Sequence, residues 1–212
     1  MSNDEMPLSL LEYDRIYRSI EGICCATEFP SSRSCIFFSV LGAMILDQIH
    51  GLPARIIAGA AYICVDENNE ILLGFGADDD FGASDGSRFH CWVEIDHWIV
   101  DFMAPNYKDT LAEQGCVIDL ERRMFQKHDS KMAKTHDELE RQGGFLFIGN
   151  NDLAHSITDA YSERKDLMSL LEIYQNWYRK WPDKMEDVIH IDDSNGKIIE
   201  IRLSDNKIRG VW

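Results

Sequence analysis

Apolar residues at Leu11, Ile16, Ile20, Ile23 and Cys24 fall close to one face of a helix, so residues 7–25 predict a first helix. Residues 29–34, Phe-Pro-Ser-Ser-Arg-Ser, break the pattern and supply a serine-rich start for the next element. Residues 35–50 are apolar almost all round, from Ile36, Phe37 and Phe38 to Ile45, Leu46 and Ile49, and they end at Gly51 with Pro53 just beyond. Those are helix-stop signals. A helix that is apolar on every side belongs in the middle of a fold.

From residue 54 the texture changes. Small and β-branched residues over 54–65, a turn at Asp66-Glu67-Asn68-Asn69 and an apolar run over 70–75 predict two strands. Residues 76–87 form a Gly/Asp-rich loop, and 89–95 with 98–103 predict a hairpin around Asp96-His97. Residues 104–145 are polar and predict helices with a long surface loop. Residues 159–180 read as one helix, with Leu167, Leu170, Leu171, Tyr174, Trp177 and Tyr178 on a stripe that predicts packing, and Pro182 ends it. Residues 188–191 and 198–203 flank Asp-Asp-Ser-Asn-Gly, a hairpin signal. The expected fold is α+β, a central buried helix packed on an antiparallel sheet. It forms one domain over residues 1–212, with a core at about 33–105 and a helical and hairpin extension at about 106–212.

Composition narrows the function classes. Of 212 residues, 21 are Lys or Arg and 37 are Asp or Glu, a formal charge of −16, which disfavours nucleic acid and anionic membrane surfaces as partners. The longest apolar run, residues 35–46, is interrupted by Ser39 and is too short to span a bilayer. The first ten residues carry neither the basic nor the apolar region of a secretory signal. Six cysteines without an export signal predict free thiols in a reducing, cytoplasmic setting, and no C-x-x-C pair suggests a zinc ribbon or a thioredoxin motif.

Of the six, Cys35 stands out. Ser34 is a natural N-cap, which puts Cys35 in the first turn of the apolar helix, where the dipole and unpaired N–H groups favour a thiolate and later an oxyanion. Most free cysteines are small buried hydrophobes, so position alone does not decide. The hairpin adds partners. A tight turn at Asp96-His97 sets Trp92 opposite Asp101 and His90 opposite Met103, so that His90, Trp92, Glu94, Ile99, Asp101 and Met103 share one face. His90 and Asp101 are then diagonal neighbours, the arrangement in which a carboxylate orients an imidazole and stabilises its charged form. A slip of one residue would separate them.

These residues resemble a known family. A Cys at the start of a buried helix, Gly-Leu-Pro-Ala-Arg-Ile-Ile-Ala-Gly over 51–59, His-Cys-Trp-Val-Glu over 90–94 and Trp-Ile-Val-Asp over 98–101 together resemble the transglutaminase-like branch of the papain-like cysteine peptidase superfamily. The likeness covers about a third of the chain, residues 33–105, and rests on the order and spacing of motifs that are individually weak. It implies Cys35 as nucleophile, His90 as general base and acid, and Asp101 as the orienting carboxylate, with no cofactor and no metal. Two features depart from the family. No Gln lies between residues 1 and 34 to complete an oxyanion hole, leaving Glu28, Ser34 or the Cys35 amide, and Asp101 is followed by Phe-Met-Ala-Pro.

Other sites are weaker. Cys35, His90 and Asp101 are also zinc-ligand types, but the family order favours a triad. Asp78-Asp79-Asp80 with Asp85 lacks the alternating spacing of a calcium loop. Gly74-Phe75-Gly76 is too short for a dinucleotide fingerprint. Cys91 is expected to point away from His90 into the core, and Cys24-Cys25 to be buried or half-buried thiols. The expected function is a cysteine-dependent hydrolase or acyltransferase acting on an amide or related acyl bond of a peptide, protein or small amide. The alternative is a non-catalytic acidic module that docks on a basic protein.

Overall fold

The computed structural model describes residues 5–27, 34–77, 82–192 and 196–212. Helix α1 (Leu10–Ala26) begins at a reciprocal cap: the Glu12 N–H donates to the Ser9 hydroxyl (3.3 Å) and the Ser9 N–H donates to the Glu12 carboxylate (2.8 Å). Tyr13, Ile16, Tyr17, Ile20, Ile23 and Cys24 form its buried face, whereas Leu11, expected there, is 67% exposed. Leu11 precedes the first buried position by two residues, a rotation of roughly 200° that turns it to solvent.

Helix α2 (Cys35–Gln48) starts at Cys35, and the chain leaves it through Gly51 at φ +65°, which a residue without Cβ adopts freely. Ser34 holds the cap position but makes no side-chain cap bond; its ψ of 32° is not the extended geometry that aims a hydroxyl at the first-turn amides. Phe38, Leu41, Ile45 and Leu46 are fully buried, the interior helix its composition predicts.

Strand β1 (Ala54–Asp66) is the spine of a six-stranded antiparallel sheet whose main path runs β2 (Ile71–Phe75), β1, β3 (His90–Ile95), β4 (Trp98–Asp101), β5 (Phe125–His128). Strand β6 (Phe145–Gly149) joins at β1. Gly59 pairs with both His90 and Gly149, and Ala61 pairs with both Phe75 and Phe147. A strand has two edges, so β2 and β3 run end to end along one edge of β1 while β6 takes the other. The chain between them leaves at Phe75 and returns at His90, and within it the Ala77 N–H donates to the Ala83 carbonyl (2.9 Å). Gly59 lies where the three strands meet; a Cβ there would stand 2.0 Å from the Ile148 carbonyl oxygen.

The polar stretch 104–145 contains the expected helix, α3 (Tyr107–Glu113), but its remainder departs from prediction by supplying β5 and leading into β6. The predicted long helix over 159–180 is two: α4 (Asn151–Ser162), capped by Asn150 accepting from the Leu153 N–H (3.1 Å), and α5 (Lys165–Tyr178). Leu167, Tyr174, Trp177 and Tyr178 are buried, as their stripe predicts. The last pair, β7 (Val188–Asp192) and β8 (Ile198–Arg202), forms the predicted hairpin and packs on α1, and residues 193–195 of its turn lie outside the described residues. So do Glu28 and Asp78-Asp79-Asp80. Among the described residues no helix is long and apolar enough to cross a membrane.

Candidate active site

The β3–β4 hairpin has the register that its turn predicts: Ile95 faces Trp98, Glu94 faces Ile99 and Val93 faces Val100. Asp96 takes φ +51° in the turn, a conformation that Asp tolerates better than most residues. Beyond the last pair, three residues along β3 and one along β4, His90 meets Asp101, Nε2 to Oδ2 at 2.6 Å. The ladder stops there. The Met103 N–H folds back to donate to Asp101 Oδ1 (2.8 Å), so Met103 does not pair across from His90 as the extended register would have it.

The carboxylate is dry and fully occupied. Asp101 is 1% and His90 0% exposed. Besides His90 and the Met103 amide, the Tyr107 hydroxyl donates to Oδ2, and the Tyr13 hydroxyl donates to the Asp101 carbonyl oxygen. Burial, reinforced by the Asp101 charge, raises both phenols well above the ordinary tyrosine range, so they act as neutral donors. A buried carboxylate is costly unless each oxygen is satisfied, and these groups satisfy it.

The imidazole lies in an aromatic setting, stacked on Phe75 with ring centroids 4.4 Å apart and edge-on to Phe147. Burial pushes its proton affinity down. The charge and hydrogen bond of Asp101, joined by Cys35, outweigh that and raise it well above the ordinary histidine range. Its Nδ1 is buried and makes no directed hydrogen bond, while Cys35 bears on the ring as a charged neighbour. Cys35 is the first residue of α2 and 8% exposed. The Cys91 thiol holds the Cys35 thiol below the ordinary thiol range; burial opposes this, and His90 and the Cys91 main chain add to the lowering. The helix start acts in the same direction. The two shifts run in the directions that favour a charged thiol and a charged imidazole, with a buried carboxylate behind the ring.

Two further contacts explain motif residues. Arg55 pairs in register with Glu94 and donates to it (2.7 Å), and Trp92 Nε1 donates to the same carboxylate (3.3 Å), so these three tie β1 to β3 near the surface. Gly42 of α2 lies against Phe102, whose ring would be 2.2 Å from a Cβ placed there. That close approach fixes the helix carrying Cys35 against the residue next to Asp101.

A cavity of about 350 Å³ opens over Cys35 and His90, with Phe75, Phe89 and Met103 as apolar walls and Thr110, Glu113 and Gln114 at the end of α3 on its polar side. Gln114 lies after Cys35 in the chain, not before it, where the family resemblance places a Gln. A larger hollow of about 640 Å³ between α2, β1 and α4 contains Asp47, Arg55, His155 and Asp159 but none of the three central residues. Tyr13, Tyr107 and Cys91 were not anticipated as members of the site. Tyr107 had one local signal, its place on the short turn after Asp101; Tyr13 and Cys91 reach the site only through the packing of helices on the sheet. Among the described residues no group of three His, Cys, Asp or Glu side chains is arranged to hold a metal ion, and His90 spends Nε2 on Asp101 rather than on a shared centre.

Comparison with known proteins adds the fold and the family. A crystal structure described as that of a genomics target matches this chain with a TM-score of 0.85 and 25% sequence identity, over 100% of both chains. No curated protein matches the chain. A family model described as "Protein of unknown function (DUF2026)" matches residues 9–212, and the chain belongs to that family.

Proposed function

We propose that the chain is a cysteine-dependent hydrolase or acyltransferase with a transglutaminase-like, papain-like catalytic core, acting on an amide or related acyl bond. The observation that carries this reading is the 2.6 Å bond from His90 Nε2 to a fully buried Asp101, with Cys35 at a helix start and lining the same cavity as His90. Cys35 Sγ attacks the acyl carbon, and the carbonyl electrons move to oxygen. The first-turn amides of α2, where Cys35 stands, are donors of the kind that stabilises such an oxyanion. His90 then gives its Nδ1 proton to the leaving amine as the carbonyl reforms, leaving an acyl-thioester on Cys35. Water or an amine, deprotonated by His90, releases the acyl group and regenerates the thiolate. Asp101 keeps the ring oriented and favours its charged form throughout.

The cavity suits a single apolar acyl group or side chain, since its volume lies near the lower end for small-molecule sites. Glu113 on the polar side and the charge of −16 favour neutral or basic substrates over acidic ones. The test is iodoacetamide alkylation of the reduced protein across pH, followed by peptide mass mapping. Cys35 is expected to react well below the ordinary thiol range near 8.5, and ahead of Cys64 and Cys116. Reaction of Cys35 no faster than those two thiols would overturn the assignment and leave the acidic docking module as the better reading.

A further inference from the structure

Asp101 Oδ2 serves two donors at once. His90 Nε2 lies 2.6 Å from it and the Tyr107 hydroxyl donates to the same atom, while Oδ1 takes the Met103 N–H (2.8 Å). Tyr107 is 0% exposed and enclosed by rings, with centroids 6.0 Å from Phe75, 6.2 Å from Trp212 and 6.3 Å from His90. A phenylalanine would fill the same space; the hydroxyl is what reaches Oδ2.

We propose that Tyr107 is a positioning residue that makes His90 a stronger acid, because its hydroxyl shares Oδ2 and holds carboxylate charge that the imidazolium would otherwise balance alone. The proposal rests on the reading of His90 as the group that protonates the leaving amine. A general acid works best when its own range lies near the working pH, and an imidazolium gripped by a bare buried carboxylate gives up its proton poorly. When the Nδ1 proton leaves, Asp101 keeps its charge and loses the cation that balanced it. A donor to Oδ2 matters most in that state, since charge in a dry site is stabilised by the groups fixed around it. Tyr107 therefore favours the deprotonated pair over the protonated one and lowers the pH at which the proton is released.

Tyr13 supplies the contrast. Its hydroxyl belongs to an equally buried ring but donates to the Asp101 main-chain carbonyl, so it holds the residue in place without touching the carboxylate. The other titratable groups around the imidazole are Cys35 of α2, Cys91 beside it in β3 and Glu113 of α3 on the polar side of the cavity. Strands β1, β2 and β6 bring Gly59, Phe75 and Phe147 to it. All of these stay in place when either tyrosine is changed.

The test follows the His90 ring by NMR in the full-length protein with isotope-labelled histidine, its signals identified by their loss in His90→Gln. In Tyr107→Phe the His90 midpoint is expected to rise by about one pH unit, part of the strength of a hydrogen bond to a charged group. An ortho-fluorotyrosine in place of Tyr107 keeps the bond with a more acidic hydroxyl, and is expected to move the midpoint down. Tyr13→Phe is expected to leave it where it is in the unmodified chain. A midpoint that stays or falls in Tyr107→Phe, or that rises as much in Tyr13→Phe, overturns the proposal. Should Tyr107→Phe fail to fold, an unmoved midpoint with the fluorinated residue overturns it alone. Iodoacetamide alkylation of Cys35 in the same samples separates the two readings. Fast alkylation with an unmoved midpoint overturns the role of Tyr107 and leaves the cysteine enzyme standing; slow alkylation with the expected shifts overturns the enzyme and leaves the sharing of Oδ2.

Discussion

Two histidine–aspartate pairs stand at opposite ends of one hairpin. At the turn, His97 Nδ1 lies 3.0 Å from Asp129 Oδ2, with the two side chains 61% and 43% exposed. At the open end, His90 Nε2 lies 2.6 Å from Asp101 Oδ2, with exposures of 0% and 1%. In both, the imidazole's proton affinity is raised by its carboxylate, at His97 chiefly through the hydrogen bond and at His90 against an opposing push from burial. The chemistry of the partners is the same and the setting is not. Water solvates the outer pair and salt screens it, whereas the inner carboxylate depends on Tyr107, the Met103 amide and His90 for all of its solvation. Burial of a carboxylate whose two oxygens are both hydrogen-bonded is what sets the inner pair apart from a common surface contact.

That contrast can be broken in order of expected effect. Asp101→Ala should cost about 3–5 kcal/mol in urea unfolding, since it leaves a buried imidazolium unpaired, while Asp129→Ala should leave the urea midpoint unchanged. Tyr107→Phe removes one donor to a buried carboxylate and should cost about 1.5–3 kcal/mol by the same measurement. His90→Ala removes the cation beside Cys35, so the thiolate, present above its depressed pKa and lost as pH falls through it, should appear only at higher pH. The iodoacetamide rate of Cys35 at pH near 6 should fall about 10–100-fold and the profile move toward about 8.5, whereas His97→Ala should leave that profile in place. The smallest effect belongs to the outer pair. The stability linked to His97 is present below its ordinary range and lost as pH rises through its raised folded value, and Asp129→Asn should lower its midpoint in an NMR titration. Salt should diminish that shift and leave the Cys35 profile largely unaffected.

What could be read in advance follows the distance over which each interaction acts. The register of the His90–Asp101 hairpin depends on a two-residue turn and on alternation over a dozen residues, so it was legible. Cys35 at the head of an apolar run was legible for the same reason. Strand β6 is five residues, Phe145–Gly149, and becomes a strand by pairing with β1 more than eighty residues earlier; nothing around it in the chain announces a partner. β5 is similar, with Gln126 and Lys127 giving it the look of a charged surface stretch while Gln126 is buried against the backbone of Leu8. Tyr13 reaches Asp101 across 88 residues, a contact made only once α1 is packed on the sheet. Ser34 is the reverse case: its residue type favours a cap, but the backbone turns the hydroxyl elsewhere.

The end-to-end placement of β2 and β3 along β1 has a consequence for how this protein can change over generations. Phe75 and His90 are each pinned to β1 by their own ladder, at Ala61 and Gly59, so the stretch between them starts and finishes at fixed points. Lengthening or shortening that stretch adds little closure entropy and leaves both ladders in register. Ser87 and Phe89, which line the cavity, lie at its end. Insertions there would remodel the entrance while His90 keeps its distance from Asp101, so selection can vary what the cavity accepts independently of the machinery beneath it.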